Sequence, residues 1–258
     1  MEKLSIIILL LLCSFKIQIA FAKSTNVLRL EDIQEDGSTK KTNLAHHGFV
    51  DFNLYNDTRN FRTLTVNTLL TNLLNNEKLS YFSFLTLDTK MDGDALDINS
   101  YITEQNLFYK IGNSPVDLTT QYFSITGQKN DIWRSGLNIN LHKTPVVGKW
   151  IKKIVSNGFY MIDYYPVQVD HLDGYNWQIQ QVWRFPVLPK TLHNRVYMYG
   201  FADHNFGGEG HNKLVCENQL GIRLYKQLYA VAEYRWNGFF PEGDRTGVGL
   251  GMEYNVKF

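Results

Sequence analysis

The feature that most constrains the fold is the last segment, Arg245 to the carboxyl-terminal Phe258, where side-chain character changes with a period of two. Val248, Leu250, Met252, Tyr254, Val256 and Phe258 share one face, and Gly247, Gly249, Gly251, Glu253, Asn255 and Lys257 share the other. Successive side chains of a strand point to opposite sides, whereas a helix would scatter both sets around its axis. A strand with one apolar and one polar face is what a wall between lipid and a wet lumen requires, and a terminal aromatic suits outer-membrane assembly.

Upstream segments repeat the pattern. Leu228, Ala230, Ala232, Tyr234 and Trp236 oppose Tyr229, Val231, Glu233, Arg235 and Asn237. Leu214, Cys216, Leu220, Ile222 and Leu224, interrupted by Asn218, oppose Val215, Glu217, Gln219, Gly221 and Arg223. Trp133, Leu137, Ile139 and Leu141 oppose Arg134, Asn138, Asn140 and His142, and Tyr175, Trp177, Ile179, Trp183 and Phe185 oppose Asn176, Gln178, Gln180 and Arg184. Earlier segments are noisier, because Phe82 and Phe84 interleave with Tyr81 and Leu85.

Segments fall near 45–55, 61–72, 78–88, 99–112, 115–126, 132–143, 154–167, 173–186, 192–204, 212–224, 227–238 and 245–258. Turn clusters such as Asn56-Asp57, Asn75-Asn76-Glu77, Asp92-Gly93-Asp94 and Gly127 to Asp131 separate them. The expected fold is all-β, a single closed antiparallel transmembrane β-barrel of about 12 strands, with both ends of an even count on the periplasmic side. A soluble sandwich or lipocalin-like barrel also alternates, but rarely carries so many rings on its exposed face; here 14% of residues are aromatic.

The first residues read as an export signal. Lys3 precedes an apolar run, Leu4 to Leu12, too short to span a bilayer. A polar break at Ser14 and Lys16 follows, and Ala20-Phe21-Ala22 offers a cleavage site. Residues 1–22 are thus expected to be a cleaved signal peptide, 23–42 a mobile periplasmic extension and 43–258 the barrel, in a bacterial outer membrane. An uncleaved anchor, a lipoprotein built on Cys13 and a capping helix or plug in 23–42 are the alternatives. After cleavage Cys216 stands alone, so no internal disulfide can form. A net charge of +1 with no concentrated basic face gives no reason to expect nucleic acid as a partner.

By alternation, Arg134, Asn138, Gln178, Arg184, Glu217, Gln219, Arg223, Glu233, Arg235, Glu253 and Lys257 line the lumen. Mixed signs suit small polar, neutral or zwitterionic solutes diffusing past weak sites; an ion-pair network sealing a structural barrel is the competing reading. Trp133, Trp177, Trp183, Trp236, Tyr175 and Tyr254 read as an interfacial girdle. Lys149, Trp150, Ile151, Lys152 and Lys153 form a short amphipathic stretch, able to touch anionic headgroups or simply solvated.

Other chemistry finds less support. An outer-wall lipid hydrolase needs a base beside a hydroxyl, and none of His142, His193, His204 or His211 has Ser two positions on. Asp203-His204-Asn205-Phe206-Gly207-Gly208 with His211 is not a metal-site spacing and reads as a loop tip, and His46-His47 as a strand entry. The glycines of Gly247 to Gly251 alternate on a strand with no helix after them, unlike a phosphate loop; they, Gly200 and Gly221 are expected on the inward face, making room for bulky neighbours or a close-packed barrel bend. No catalytic residue, metal ligand or cofactor is assigned.

GFADHNFGG (200–208), ENQLG (217–221), QLYAVAEYRWNG (227–238) and GVGLGMEYNVKF (247–258), with TEQNL (103–107) and PVDLTTQY (115–122), look like a bacterial outer-membrane barrel family. That family resembles the Tsx-like nucleoside-specific channels. The resemblance implies a twelve-stranded barrel with a narrow lumen that admits nucleosides. No substrate-binding aromatic is carried over residue by residue.

Overall fold

The computed structural model describes residues 28–33, 39–45, 47–92, 97–127, 131–154, 158–169, 177–187, 195–207 and 212–258. The expected signal peptide, His46, Gly93-Asp94, residues 128–130, Tyr175, Asn176, His193, Gly208 and His211 lie outside them. Strands β1 (Leu28–Ile33) and β2 (Thr39–Ala45) pair with each other as a separate antiparallel sheet.

Then come β3 (His47–Asp57), β4 (Phe61–Leu73), β5 (Asn76–Lys90), β6 (Ile98–Lys110), β7 (Val116–Ile125) and β8 (Ile132–Asn140). A 3-10 turn (Leu141–Lys143) and helix α1 (Val147–Ile154) lead into β9 (Phe159–Val169), β10 (Trp177–Pro186), β11 (Val196–Phe206), β12 (Lys213–Tyr225), β13 (Leu228–Asn237) and β14 (Thr246–Lys257). From β3 onward each strand pairs antiparallel with the next, and β14 returns to β3 from Gly249↔Asp57 to Lys257↔Phe49. The result is a closed barrel of twelve strands, β3 to β14, as the alternation predicts. Closure leaves no unpaired edge, which in hydrocarbon would strand backbone donors and acceptors at several kcal/mol each. Among the described residues no helix is long and apolar enough to cross a membrane.

The barrel is inverted relative to a soluble protein. Asp51, Asn53, Glu104, Asn106, Gln121, Asn138, Asp163 and Glu253 are buried, while Leu250 is 64% and Leu54 and Trp133 each 53% exposed. In water such an outer wall would be a large apolar patch; in a bilayer it is solvated. Trp133, Trp177 and Trp236 stand at the rim opposite the chain ends, and Trp177 stacks on Phe206 with centroids 3.7 Å apart. Rings at one level are what an interfacial girdle needs.

Three sequence expectations change. Asp203, His204 and Asn205 are ladder residues, paired with Gln180, Ile179 and Gln178, so the loop-tip reading fails. Pairing on both sides overrides local turn preference, and Asp and Asn suit a wet inner wall as well as a turn. Gly200 pairs with Trp183 on the outer face and makes room for that ring outside, not in the lumen. The eighth strand stops at Asn140, whose side chain accepts the His142 N–H at 3.1 Å and starts the 3-10 turn. The noisy segment is resolved by register, since Leu69↔Phe82 and Asn67↔Phe84 turn both phenylalanines inward.

Gly221, Gly249 and Gly251 do face crowded ground: a Cβ on Gly221 would meet the Tyr197 ring, on Gly249 the Tyr55 ring, and on Gly251 the Leu54 carbonyl and then Tyr55. Gly136 sits against the backbone carbonyl of Tyr164, where β8 and β9 slip register between Ser135 and Leu137. Backbone cannot swing aside as a side chain can, so Gly136→Ala is expected to lose about 1–3 kcal/mol. Urea unfolding in detergent would measure it, and an unchanged midpoint would contradict the close approach.

Candidate functional site: the lumen

Three side-chain clusters line the lumen. In the first, Gln219 Nε2 donates to Glu253 Oε2 at 2.8 Å and also to the Tyr197 hydroxyl, which itself donates to Glu253. The Arg184 guanidinium lies 4.3 Å from the Tyr197 ring centroid. Asp51 accepts from Asn67 at 2.7 Å and Asn53 at 2.8 Å. Asp51, Arg184, Tyr199, Gln219 and Glu253 help to enclose a cavity of about 20 Å³, enough for roughly one water.

The second cluster centres on Arg235. It pairs with Glu217 at 2.6 Å and Glu233 at 3.0 Å, and donates to the Tyr55 hydroxyl at 2.7 Å. Tyr55 reaches over from β3 past Gly249 and Gly251, which leave it space. One guanidinium thus serves three oxygen partners, a task suited to its planar fork.

In the third, Arg134 donates to Gln168 at 2.6 Å and to Gln121. Gln121 donates to Asn106 at 3.1 Å, and Asn106 to Glu104 at 2.6 Å. Tyr165 comes from β9 to donate to Asn106 on β6 at 3.3 Å, crossing the inside of β7 and β8. Gln121 and Tyr165 are both 0% exposed, so this is the most tightly packed part of the lining. Beside them Asn138 donates to Asp163 at 2.7 Å.

The eleven residues picked by alternation are distributed as follows. Arg134, Asn138, Gln178, Gln219, Glu233 and Glu253 are buried inside the barrel. Glu217 and Arg235 meet Glu233, and Gln219 meets Glu253. Arg184 joins the first cluster, Arg223 donates to Tyr229 at 3.2 Å, and Lys257 is exposed near the chain end. Asp51, Asn53, Tyr55, Glu104, Gln121, Asp163, Tyr165, Tyr197 and Asp203 were not among those picked. With Asp51, Glu104, Asp163 and Asp203 added to Glu217, Glu233 and Glu253, the charge balance moves toward acid.

Several inward acceptors lack a partner among the described residues: Asn53 Oδ1, Gln178 Oε1, Asp203 Oδ1, Glu253 Oε1 and Asn255 Oδ1. Each costs roughly 1–3 kcal/mol unless a donor reaches it. A hydrated lumen or a solute with several N–H or O–H groups provides such donors.

On the outer wall, Tyr160 donates to Gln181, and Gln181 Nε2 lies 3.3 Å from His204 Nε2. They border an open groove of about 430 Å³ with Trp183, Cys216 and Asn218, and no serine lines it. Asp203 and His204 point to opposite faces, and no group of His, Cys, Asp and Glu among the described residues could hold a metal. His142 is buried at the rim, where its Nδ1 accepts the Tyr160 backbone N–H at 3.1 Å, a structural tie between β9 and the 3-10 turn.

No family model and no curated protein matches the chain, so the Tsx-like likeness gains nothing from either comparison. Among solved structures, the KdgM porin aligns with a TM-score of 0.48 and 12% identity over 80% of this chain and 98% of that one. The same porin in complex with disordered oligogalacturonate gives 0.47 and 12% over the same shares. A mutant Rhodopseudomonas blastica porin gives 0.37 and 9% over 81% and 99%. At these values the barrel assignment rests on the strand ladder itself.

Proposed function

We propose that the chain is an outer-membrane channel for the passive passage of small polar solutes. The carrying observation is the inverted barrel: a closed twelve-strand wall, apolar outside, around a lumen whose buried acceptors await donors. A barrel needed only as a wall is served as well or better by apolar packing, because buried ionic groups add little net stability. Polar lining with unmet acceptors suits solutes that exchange their hydration for weak lumenal contacts. The Tsx-like resemblance makes nucleosides the first solutes to try. Residues 1–22 fit this reading as the export signal, and amino-terminal sequencing of the mature protein should begin at Lys23.

The sealed-barrel reading draws support from Gln121 and Tyr165, both fully buried within the lumenal network. In the channel reading they border the narrowest level, where their hydrogen bonds to Asn106 and Arg134 must exchange for a solute to pass. Proteoliposome uptake separates the two: small polyols and nucleosides should enter at rates falling with size, and Tyr165→Ala should raise every rate. No uptake by either protein would sink the channel.

A further inference from the structure

Helix α1 carries side chains that the barrel leaves unused. Val147, Trp150 and Ile151 lie at helical spacings i, i+3 and i+4 and share one stripe, while Lys149, Lys152 and Lys153 hold the opposite face. The apolar stripe is not packed away: Trp150 is 65% and Val147 46% exposed, and Val146 just before the helix is 69% exposed. The Lys153 ammonium lies 5.1 Å from the Trp150 ring centroid.

The fold fixes where this helix sits. Strand direction alternates around the barrel, so the end of β8 and the start of β9 lie at the same rim as His47 and Phe258. In an outer-membrane barrel that rim is periplasmic. Gly148 N–H donates to the Thr144 carbonyl at 3.1 Å and hydroxyl at 2.9 Å, and Thr144 N–H to Leu141 at 3.2 Å, so the first turn is tied to the end of β8.

We propose that α1 is an interfacial anchor, its Val147–Trp150–Ile151 stripe lying in the acyl boundary of the periplasmic leaflet and its lysines holding anionic phospholipid headgroups. The proposal rests on the outer-membrane reading. Charge complementarity selects the occupant, because three lysines beside an amphipathic tryptophan match an anionic headgroup layer. A second copy of the helix would bring like charges together, and a stripe this small falls far below the roughly 800 Å² per partner of a stable protein interface.

The test uses the full mature barrel in a Cys216→Ser background, with a spin label at Val147→Cys or, separately, at the outer-wall position Leu250→Cys. In phosphatidylglycerol-containing vesicles the label at 147 should favour oxygen over a water-soluble nickel relaxant, approaching the ratio at 250. In neutral phosphatidylcholine, or with Lys149→Glu, Lys152→Glu and Lys153→Glu together, that ratio should fall toward an aqueous value. A label at 147 that stays aqueous in anionic vesicles, while that at 250 lies in hydrocarbon, overturns the anchor alone. An aqueous label at 250 overturns the membrane reading and the anchor with it.

Discussion

Arg235→Ala is expected to cost about 3–5 kcal/mol of folding stability, because it removes one partner of a buried ionic cluster and leaves the others unpaired. Glu217 and Glu233 both lean on this guanidinium, at 2.6 and 3.0 Å, and their side chains are 13% and 3% exposed. Without it, two carboxylates face each other across a poorly hydrated wall, and the Tyr55 hydroxyl loses its donor as well. Arg235→Lys should recover part of the loss, since one ammonium supplies the charge but cannot match three partners in fixed directions. Arg235→Met combined with Glu217→Gln and Glu233→Gln should recover more, because it removes the charges together. Urea unfolding in a defined detergent measures all of them, and a loss under about 1 kcal/mol for Arg235→Ala would show the cluster to be solvated.

The second large effect is on the other face. Leu250→Arg is expected to destabilise the barrel in a bilayer by about 1–4 kcal/mol, the cost of an arginine on a lipid-facing wall, which falls from the midplane toward the rim. Leu250 pairs with Ala232 on one side and Asn56 on the other and is 64% exposed. The sign discriminates between environments. On a soluble barrel an exposed Leu replaced by Arg would stay within about 0.5 kcal/mol either way. Unfolding measured in lipid vesicles therefore tests the membrane setting without assuming any transport.

How much of this is legible in the sequence depends on which wall is read. In β12, β13 and β14 the two faces differ sharply, so the inward placement of Glu217, Gln219, Glu233, Arg235 and Glu253 follows from period two alone. In β5 both faces carry rings, because Phe82 turns inward beside Phe49 while Tyr81 faces outward, and only the register with β4 separates them. Asp163 and Tyr165 are hidden for a related reason. Tyr160 and Tyr164 put rings on the outer face of the same strand, and a register slip interrupts the count. By contrast Asp51, Asn53, Tyr55 and Asp57 alternate openly with Phe52 and Leu54, and the lining of β3 was readable. What no single strand reveals is contact between strands that are not neighbours: Tyr197 with Glu253 and Tyr165 with Asn106 depend on the curvature of the wall, and Arg235 with Tyr55 on its closure between β14 and β3. The reading of Asp203 to Asn205 as a loop shows the reverse weakness, where residues favoured in turns serve an inner wall.

Conduction through the polar lumen is read out by single-channel recording in a planar bilayer, with purified mature protein whose insertion is verified by heat-modifiable migration. Discrete openings are expected for the wild-type barrel, with a larger conductance step for Tyr165→Ala. Inserted barrels that stay silent at every voltage, for both proteins, would contradict it and leave the sealed wall as the reading.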